Sequence, residues 1–340
     1  MTEPALPESG DRVPSPRDVR RDTVPGAPKV LIGAPGMSPD VGDELFGRRA
    51  ETSLLGLIWR RFRRHRLALL GGIMMVVIVV VIAAAPITAR YPPTEQNLRN
   101  RLQRPSAEHW LGTDELGRDL WARIVYGGRI SLSVGLLAMA VAILLGTLVG
   151  LVSGFYGGAV DNVSMRATEV FLTFPRLFVL ILLTTFLRSA DLPGMRPGSF
   201  APIALVIGVL SWMTVARLVR ATTLELRNRE FVTAAIGVGA SNRRIMLQHI
   251  LPNVASPIIV AATLGLAAAI IAESGLSYLG FGVQPPTPTW GNLLRNAQSQ
   301  MTTAPWTAIF PGMAIFIVVL AVNFLGEGLR DALDPRHVQK

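Results

Sequence analysis

Three carboxylates stand close together in a polar stretch of the sequence between residues 90 and 129. Asp114, Glu115 and Asp119 could form the kind of carboxylate cluster that serves acid–base chemistry. The same stretch holds seven arginines, and guanidinium groups pair readily with carboxylates. A loop held by salt bridges is therefore the favoured interpretation, and a catalytic cluster is the alternative.

Other kinds of chemistry lack the residues that they need. The chain of 340 residues has no cysteine, which excludes disulfides, thiolate chemistry and Cys-ligated metals. A P-loop needs a lysine after a glycine-rich turn, and neither Lys29 nor Lys340 follows one. The sequence contains no HExxH or GxSxG motif, and its four histidines lie on different segments. These absences argue against a membrane enzyme and against a transporter with its own ATPase.

Ionisable residues are rare in the apolar runs. Glu169 and Arg176 are seven apart, so both fall on one face of a helix, where a salt pair explains them as well as a proton relay does. Glu273 stands near the end of a run, where we expect either solvation at the interface or contact with substrate and gate residues. Ser274 and Trp212 are the other predicted pathway or gate residues. Energy must then come from a partner or from a substrate gradient, and a stand-alone channel or secondary carrier is the alternative.

The elements that must position these residues are membrane helices. Half of the residues are hydrophobic, the mean hydropathy is +0.42, and several apolar runs approach the roughly 20 residues of a bilayer-spanning helix. The net charge of +10 comes from arginines beside these runs, which indicates anchoring at the inner membrane face. No nucleic-acid partner is expected, since no aromatic platform or DNA-reading helix accompanies the arginines. The sequence predicts an all-α, multi-pass protein with six transmembrane helices in a lipid bilayer.

The chain divides into six predicted segments. They are a disordered tail (1–47), an amphipathic basic helix on the inner surface (48–66), a first span (67–89), an external loop (90–130), a core of five spans (131–325) and a tail (326–340). The core spans are expected at 131–153, 163–187, 200–218, 253–276 and 308–325. Six spans and the arginine-rich segments 48–66 and 217–244 place both termini in the cytoplasm, although the external loop also carries seven arginines.

The second span carries glycines at four-residue intervals, Gly146, Gly150 and Gly154. Small residues on one stripe of a helix allow two backbones to approach closely. The stripe predicts a packing face and does not identify the helix that packs there.

The central loop, predicted at 221–252, has the pattern of a short helix, a turn and a second helix. Gly237 and Gly239 interrupt the helical sequence, and Ser241 or Asn242 can cap the helix that follows. Small residues surround the turn, so its backbone is accessible to a partner surface. We expect an elbow that binds another protein, with a plain cytoplasmic connector as the alternative.

The segment EFVTAAIGVGASNRRIMLQHILPN, residues 230–253, resembles the EAA loop of ABC importer permeases, with Thr233 in place of the usual Glu and His249 in place of Ile. Three other segments are similar to the C-type permeases of dipeptide and oligopeptide importers. They are HWLGTDELGRDLWARIVYGGRISL (109–132), ESGLSYLGFGVQPPTPTWGNLL (273–294) and GEGLRDALDPR (326–336).

This resemblance implies a type I ABC importer permease fold in the plasma (inner) membrane of a bacterium. It implies a homologous B-type permease, two ABC ATPase subunits and an extracytoplasmic peptide-binding protein as partners, with ATP and magnesium on the ATPases and no cofactor on this chain. The cargo would be dipeptides or oligopeptides, with a nickel chelate or glutathione as alternatives.

The resemblance also implies roles for particular residues. The ATPase-coupling residues would be Glu230, Phe231, Thr233, Ala234, Ala235, Gly237, Gly239, Ala240 and Ser241. The external docking residues would be Gly112, Thr113, Asp114, Gly117, Arg118, Asp119, Pro285, Pro286 and Trp290.

Overall fold

The structure, a computed structural model, describes residues 54–189 and 199–333. The predicted tail 1–47 and the end of the predicted C-terminal tail lie outside these residues. The helices are α1 (Leu54–Arg64), α2 (Arg66–Ala83), α3 (Ala85–Thr88), α4 (Leu120–Tyr156), α5 (Gly158–Thr173), α6 (Arg176–Ser189), α7 (Ala201–Arg227), α8 (Glu230–Gly237), α9 (Asn242–Tyr278), α10 (Trp290–Ala297) and α11 (Trp306–Leu333).

Five of these helices, α2, α4, α7, α9 and α11, are long and apolar enough to cross a membrane, and the bent pair α5–α6 makes up to six. The predicted all-α membrane protein with six spans is confirmed. The helix bounds differ from the predicted spans at several ends, and the reasons are local.

The second span begins at Leu120 rather than at Ser131, so eleven residues predicted as loop are helical. Asp119 caps this helix, because its Oδ2 accepts a hydrogen bond of 2.8 Å from the Ala122 amide. Arg129, inside the added part, donates to the carbonyls of Ile82 and Ala83, at 3.0 and 2.9 Å, where α2 ends. A search for apolar runs misses this extension because the helix carries arginines that bond within the protein.

The third predicted span, 163–187, is not one continuous helix. It consists of α5 and α6, which meet at an angle of 93°. Proline cannot donate an amide hydrogen bond, and it disfavours helical geometry in the residue before it. The helix is therefore interrupted at Phe174 and Pro175. The Pro175 carbonyl then accepts hydrogen bonds from Phe178 and Val179 in the first turn of α6.

The glycine stripe of α4 packs against α7. A Cβ added at Gly146, Gly150 or Gly154 would come within 2.8 Å of a carbonyl or a side chain of α7. In return, Gly208 of α7 lies against the Ala138 carbonyl of α4. The packing face predicted from the stripe is confirmed, and the structure identifies its partner helix.

The last span runs on to Leu333, beyond the predicted end at residue 325, because its final turns pack against the first helices. Gly328 fits against Ala68, and the imidazole of His65 lies 3.2 Å from the Asp331 carboxylate. His65 also caps α2 by accepting from the Ala68 amide at 3.1 Å. The start of the predicted C-terminal tail is therefore part of the packed helical unit.

Candidate functional site

The predicted elbow, residues 230–241, is formed by the short helix α8, a turn and the start of α9. Gly239 ends the helix with a φ of +80°, a conformation that L-residues with a side chain rarely adopt. The amides of Val238, Gly239 and Ala240 return hydrogen bonds to the last turn of α8. Ser241 stands at the N-cap position of α9, as predicted, but its side chain makes no capping hydrogen bond.

One face of the elbow is fixed to the rest of the chain. Val232 and Ala235 are buried and join an apolar cluster that includes Phe155 at the end of α4 and Val219 on α7. Ile245 and Ile250 of α9 complete the cluster, and the six residues from Ile245 to Ile250 form a π-helical turn. The elbow therefore has a defined position on the ends of α4 and α7.

The other face of the elbow is apolar and uncovered within the described chain. The exposed fractions of Phe231, Ile236 and Val238 are 40%, 57% and 86%. Gly237 lies between them, and a Cβ added there would meet nothing within 4 Å. A large exposed apolar patch with small residues in it is typical of a protein–protein interface.

The structure places most of the predicted coupling residues on this outer surface. Ala235 is the exception, since it is buried, and Ala240 is half-buried. The exposed members are Glu230, Phe231, Thr233, Ala234, Gly237, Gly239 and Ser241. Their contact with an ATPase stays a prediction.

At the start of α4, a buried network holds the segment that was predicted as the external loop. We call it the Asp114 cluster, and its members are His109, Asp114, Glu115, Arg118, Asp119 and Arg123. Asp114 accepts from the side chains of Arg118 and Arg123 at 2.7 and 2.8 Å and from the backbone amides of Leu116 and Arg118 at 2.9 Å. The salt-bridged loop predicted from the composition is confirmed.

The rest of the cluster joins this network to the helix. Asp119 bonds the His109 ring at 2.9 Å while it caps α4. Glu115 pairs with Arg118 at 2.9 Å. Burial raises the pKa of Glu115 above its ordinary value, and the charge of Asp114 acts in the same direction.

The predicted docking residues of this segment are interior residues. Gly112, Thr113, Asp114, Gly117, Arg118 and Asp119 are all buried. A Cβ at Gly117 would lie 1.8 Å from the Asn97 carbonyl oxygen. These residues hold the loop together because their polar atoms are bonded within the chain, and a direct contact with a binding protein must come from their exposed neighbours.

The second predicted docking region, 285–290, contains both exposed and buried residues. Pro285 and Pro286 are exposed, whereas Trp290 is 2% exposed and belongs to the core. The indole Nε1 of Trp290 donates to the Ile124 carbonyl of α4 at 3.0 Å. Of the three predicted docking residues in this region, Pro285 and Pro286 remain available for docking.

Glu273 does not lie at a solvated interface, in contrast to the first of the two expectations. Its exposed fraction is 0%, and it accepts hydrogen bonds from the hydroxyls of Ser131 on α4, at 3.0 Å, and Ser277, at 2.7 Å. The Ser131 hydroxyl in turn accepts from the Trp290 amide at 3.3 Å. Glu273 thus ties α4, α9 and α10 together.

The two other predicted gate residues are also part of helix packing. Ser274 is buried beside Glu273. Trp212 is half-buried, and its carbonyl lies against Gly146 of the glycine stripe. The sequence could not show the contact that buries Glu273, since Ser131 and Glu273 are 142 residues apart. A role of these residues in gating stays a prediction.

Glu169 and Arg176 do not form the expected salt pair. Glu169 pairs with Arg166 on α5 at 3.3 Å. Arg176 begins α6 and donates to the Ser211 hydroxyl of α7 at 2.8 Å. The 93° bend between the two helices removes the shared face on which the expected pair depends.

An ion pair that the sequence did not indicate connects α5 to α7. Arg220 donates through two nitrogens to both carboxylate oxygens of Asp161, and the Ser153 hydroxyl donates to the same carboxylate. Asp161 and Arg220 line a polar cleft with Arg217. No sequence signal joins these residues, because 59 positions separate the two partners of the ion pair.

The arrangement defines a class of protein: a helical membrane permease whose elbow presents an uncovered apolar surface beside its spans. A family model described as binding-protein-dependent transport system inner membrane component matches residues 142–339. A second, described as the N-terminal TM domain of oligopeptide transport permease C, matches residues 53–105.

Curated relatives agree with these matches. A dipeptide transport system permease protein of Alkalihalophilus pseudofirmus is 41% identical over 278 residues, which is 82% of this chain and 88% of the relative. A glutathione transport system permease protein of Pectobacterium atrosepticum is 39% identical over 279 residues, 82% of this chain and 90% of the relative.

The chain belongs to the family of binding-protein-dependent transport system inner membrane components. It is a multi-pass inner-membrane permease of an ABC importer, a kind of transporter that works with an ATPase and a binding protein. The resemblance to C-type permeases found in the sequence is confirmed.

Proposed function

We propose that this chain is the C-type half of a heterodimeric permease that moves dipeptides and oligopeptides across the membrane. The partner half is a homologous B-type permease, and two ATPase subunits bind and hydrolyse ATP. This chain itself holds no nucleotide, metal or other cofactor. Both termini lie in the cytoplasm, so the elbow faces the ATPases and the Asp114 cluster lies on the outer side.

The observation that carries this proposal is the two-sided elbow. Val232 and Ala235 attach it to the ends of two spans, while Phe231, Ile236 and Val238 leave an apolar surface for a partner. Binding of an ATPase to this surface is stabilised by the burial of apolar area. A movement of the ATPase is then transmitted to α4 and α7 through the buried face of the elbow.

Gly237 offers a test that spares the fold. A leucine at Gly237 points into open space in the chain and replaces glycine within a helix, so we expect normal insertion and stability. In membranes that contain the complete transporter, we expect the ATPases to co-purify poorly with the Gly237→Leu permease and ATP-driven peptide uptake to fall about tenfold or more.

The matched control is Val76→Leu, which enlarges an exposed apolar side chain of α2, a helix with no member in the apolar cluster of the elbow. This control should retain both ATPase association and uptake. Normal uptake and normal ATPase association in the Gly237→Leu permease would refute the proposed docking surface.

Glutathione is a second candidate cargo, because a glutathione permease is among the relatives of similar identity. A competition assay decides between the two. Uptake of a labelled tripeptide in the complete transporter should resist excess glutathione if peptides are the cargo, and should be abolished by it if glutathione is the preferred solute.

A further inference from the structure

A cationic side chain lies within the bilayer at the break in the third span. Arg176 follows Pro175 and bonds Ser211, the eleventh residue of α7. At 1.5 Å per residue, Ser211 is about 15 Å from the beginning of α7, which is about half the thickness of the hydrocarbon core. Arg176 is thus at mid-depth in the membrane.

None of the ion pairs in the described part of the chain includes Arg176. Ser211 is its only hydrogen-bond partner there, and that contact uses one of the five N–H donors of a guanidinium. The side chain is exposed in this chain. An arginine in lipid at this depth is costly, so it must face either another protein group or a water-filled cavity.

The backbone around Arg176 supports the same conclusion. A sharp break at membrane depth is tolerated where it is buried in protein or lines a cavity. Phe174, Leu177 and Phe178 beside the break are all exposed within this chain, so nothing in the described chain closes over it. The break and the guanidinium therefore share one open surface in mid-membrane.

We propose that Arg176 lines the translocation pathway and binds a carboxylate group of the cargo. This inference rests on the proposed peptide transport. A carboxylate that leaves water for a low-dielectric pathway loses its hydration, and a guanidinium with free donors can replace it with two parallel hydrogen bonds. Ser211 is a positioning residue, because its hydroxyl holds the guanidinium against α7.

The test compares a tripeptide with a free C-terminal carboxylate and the same tripeptide with a C-terminal amide. The complete transporter is reconstituted in vesicles, and each peptide is supplied at a concentration that saturates the binding protein. Saturation removes the selectivity of the binding protein, so the transport rates report the permease.

In the Arg176→Gln transporter, we expect transport of the free acid to fall about tenfold and transport of the amide to change less than twofold. Arg176→Lys keeps the positive charge and should retain most of the free-acid rate. The matched control is Arg166→Gln, which removes an exposed arginine of α5 that is already paired with Glu169. Its ratio of acid to amide transport should equal that of the wild type.

Two results would overturn the inference. If the transport rates of both peptides fall equally and the partner permease is recovered poorly, Arg176 forms a salt bridge between subunits instead. Unchanged rates for both peptides would show that it does not meet the cargo. If the wild-type transporter takes up neither peptide, the proposed peptide transport itself fails, whereas wild-type uptake with an unchanged ratio in Arg176→Gln refutes this inference alone.

Discussion

The Asp114 cluster and the elbow lie at opposite ends of α4 and use their residues in opposite ways. In the Asp114 cluster the charged groups are buried and bond each other and the backbone. In the elbow the inner face is buried, while the outer face leaves Phe231, Ile236 and Val238 uncovered. The carboxylates of the first region find their partners within the chain, whereas the second region leaves an apolar surface uncovered.

One glycine from each region shows the same difference between a packed and an open environment. Gly117 has a φ of +70° and Gly239 a φ of +80°, so both turns need glycine for their backbone conformation. A Cβ at Gly117 would collide with the Asn97 carbonyl, whereas one at Gly239 would meet nothing within 4 Å. A positive φ alone therefore does not reveal whether a turn is packed or open.

The largest expected effect concerns Asp114. Asp114→Ala leaves two buried guanidinium groups without their common acceptor, so we expect the free energy of unfolding to fall by about 3–5 kcal/mol. Thermal unfolding of the purified permease in detergent measures the loss. Glu108→Ala is the control, since its bond to Tyr91 is exposed, and it should change the stability little. Equal melting temperatures for the two variants would contradict the structural role of the Asp114 cluster.

The two glycines give the next largest effect. Gly117→Ala adds a collision with backbone to the strain of a left-handed residue and should cost about 3 kcal/mol or more. Gly239→Ala adds only the strain, about 1 kcal/mol. The same melting assay compares them. If the two variants lose equal stability, the contrast between a packed and an open turn is wrong.

At the elbow surface, serine substitutions should separate stability from binding. Phe231→Ser and Val238→Ser change exposed side chains, so we expect the free energy of unfolding to stay within about 0.5 kcal/mol of the wild type. Binding to the ATPase should weaken about tenfold, which corresponds to about 1.4 kcal/mol. A pull-down with the ATPase at several concentrations measures the change, and unaltered binding in both variants would show that this surface docks elsewhere or not at all.

The smallest effect is a pH dependence at Glu115. Because burial raises its pKa in the folded chain, the folded state holds the proton more tightly than the unfolded state does. Its contribution to stability is complete below the ordinary pKa and is lost as the pH rises through the raised value. The stability of Glu115→Gln relative to the wild type should therefore increase from pH 4 to pH 7. Melting curves that shift in parallel over this range would contradict the raised pKa.

The sequence predicted the spans because apolar runs report burial in lipid directly. It also predicted the elbow, since glycines and small residues favour a turn through their own backbone preferences. The break at Pro175 could have been predicted from proline alone, but the surrounding apolar run hid it. What the sequence could not show are contacts between distant residues, such as Glu273 with Ser131 or Asp161 with Arg220, because 142 and 59 positions separate the partners.

The same limit explains the docking residues. Gly112 to Asp119 have the polar composition of an exposed loop, and composition does not tell whether a carboxylate meets solvent or an arginine of the same chain. Their burial follows from the pairing of Asp114 with Arg123, which lies inside α4 where the sequence had predicted a loop. An error in one helix boundary thus became an error in the predicted surface.

The uninterrupted length of α4 has a mechanical consequence. Its 37 residues extend over about 55 Å, well beyond the hydrocarbon thickness. Asp119 fastens one tip to the folded polar segment, and Phe155 at the opposite tip packs against the joint that α8 forms. A rigid helix that is packed at both ends cannot tilt at one end without moving the other. A displacement on one side of the membrane is therefore transmitted to the other side by a single continuous helix.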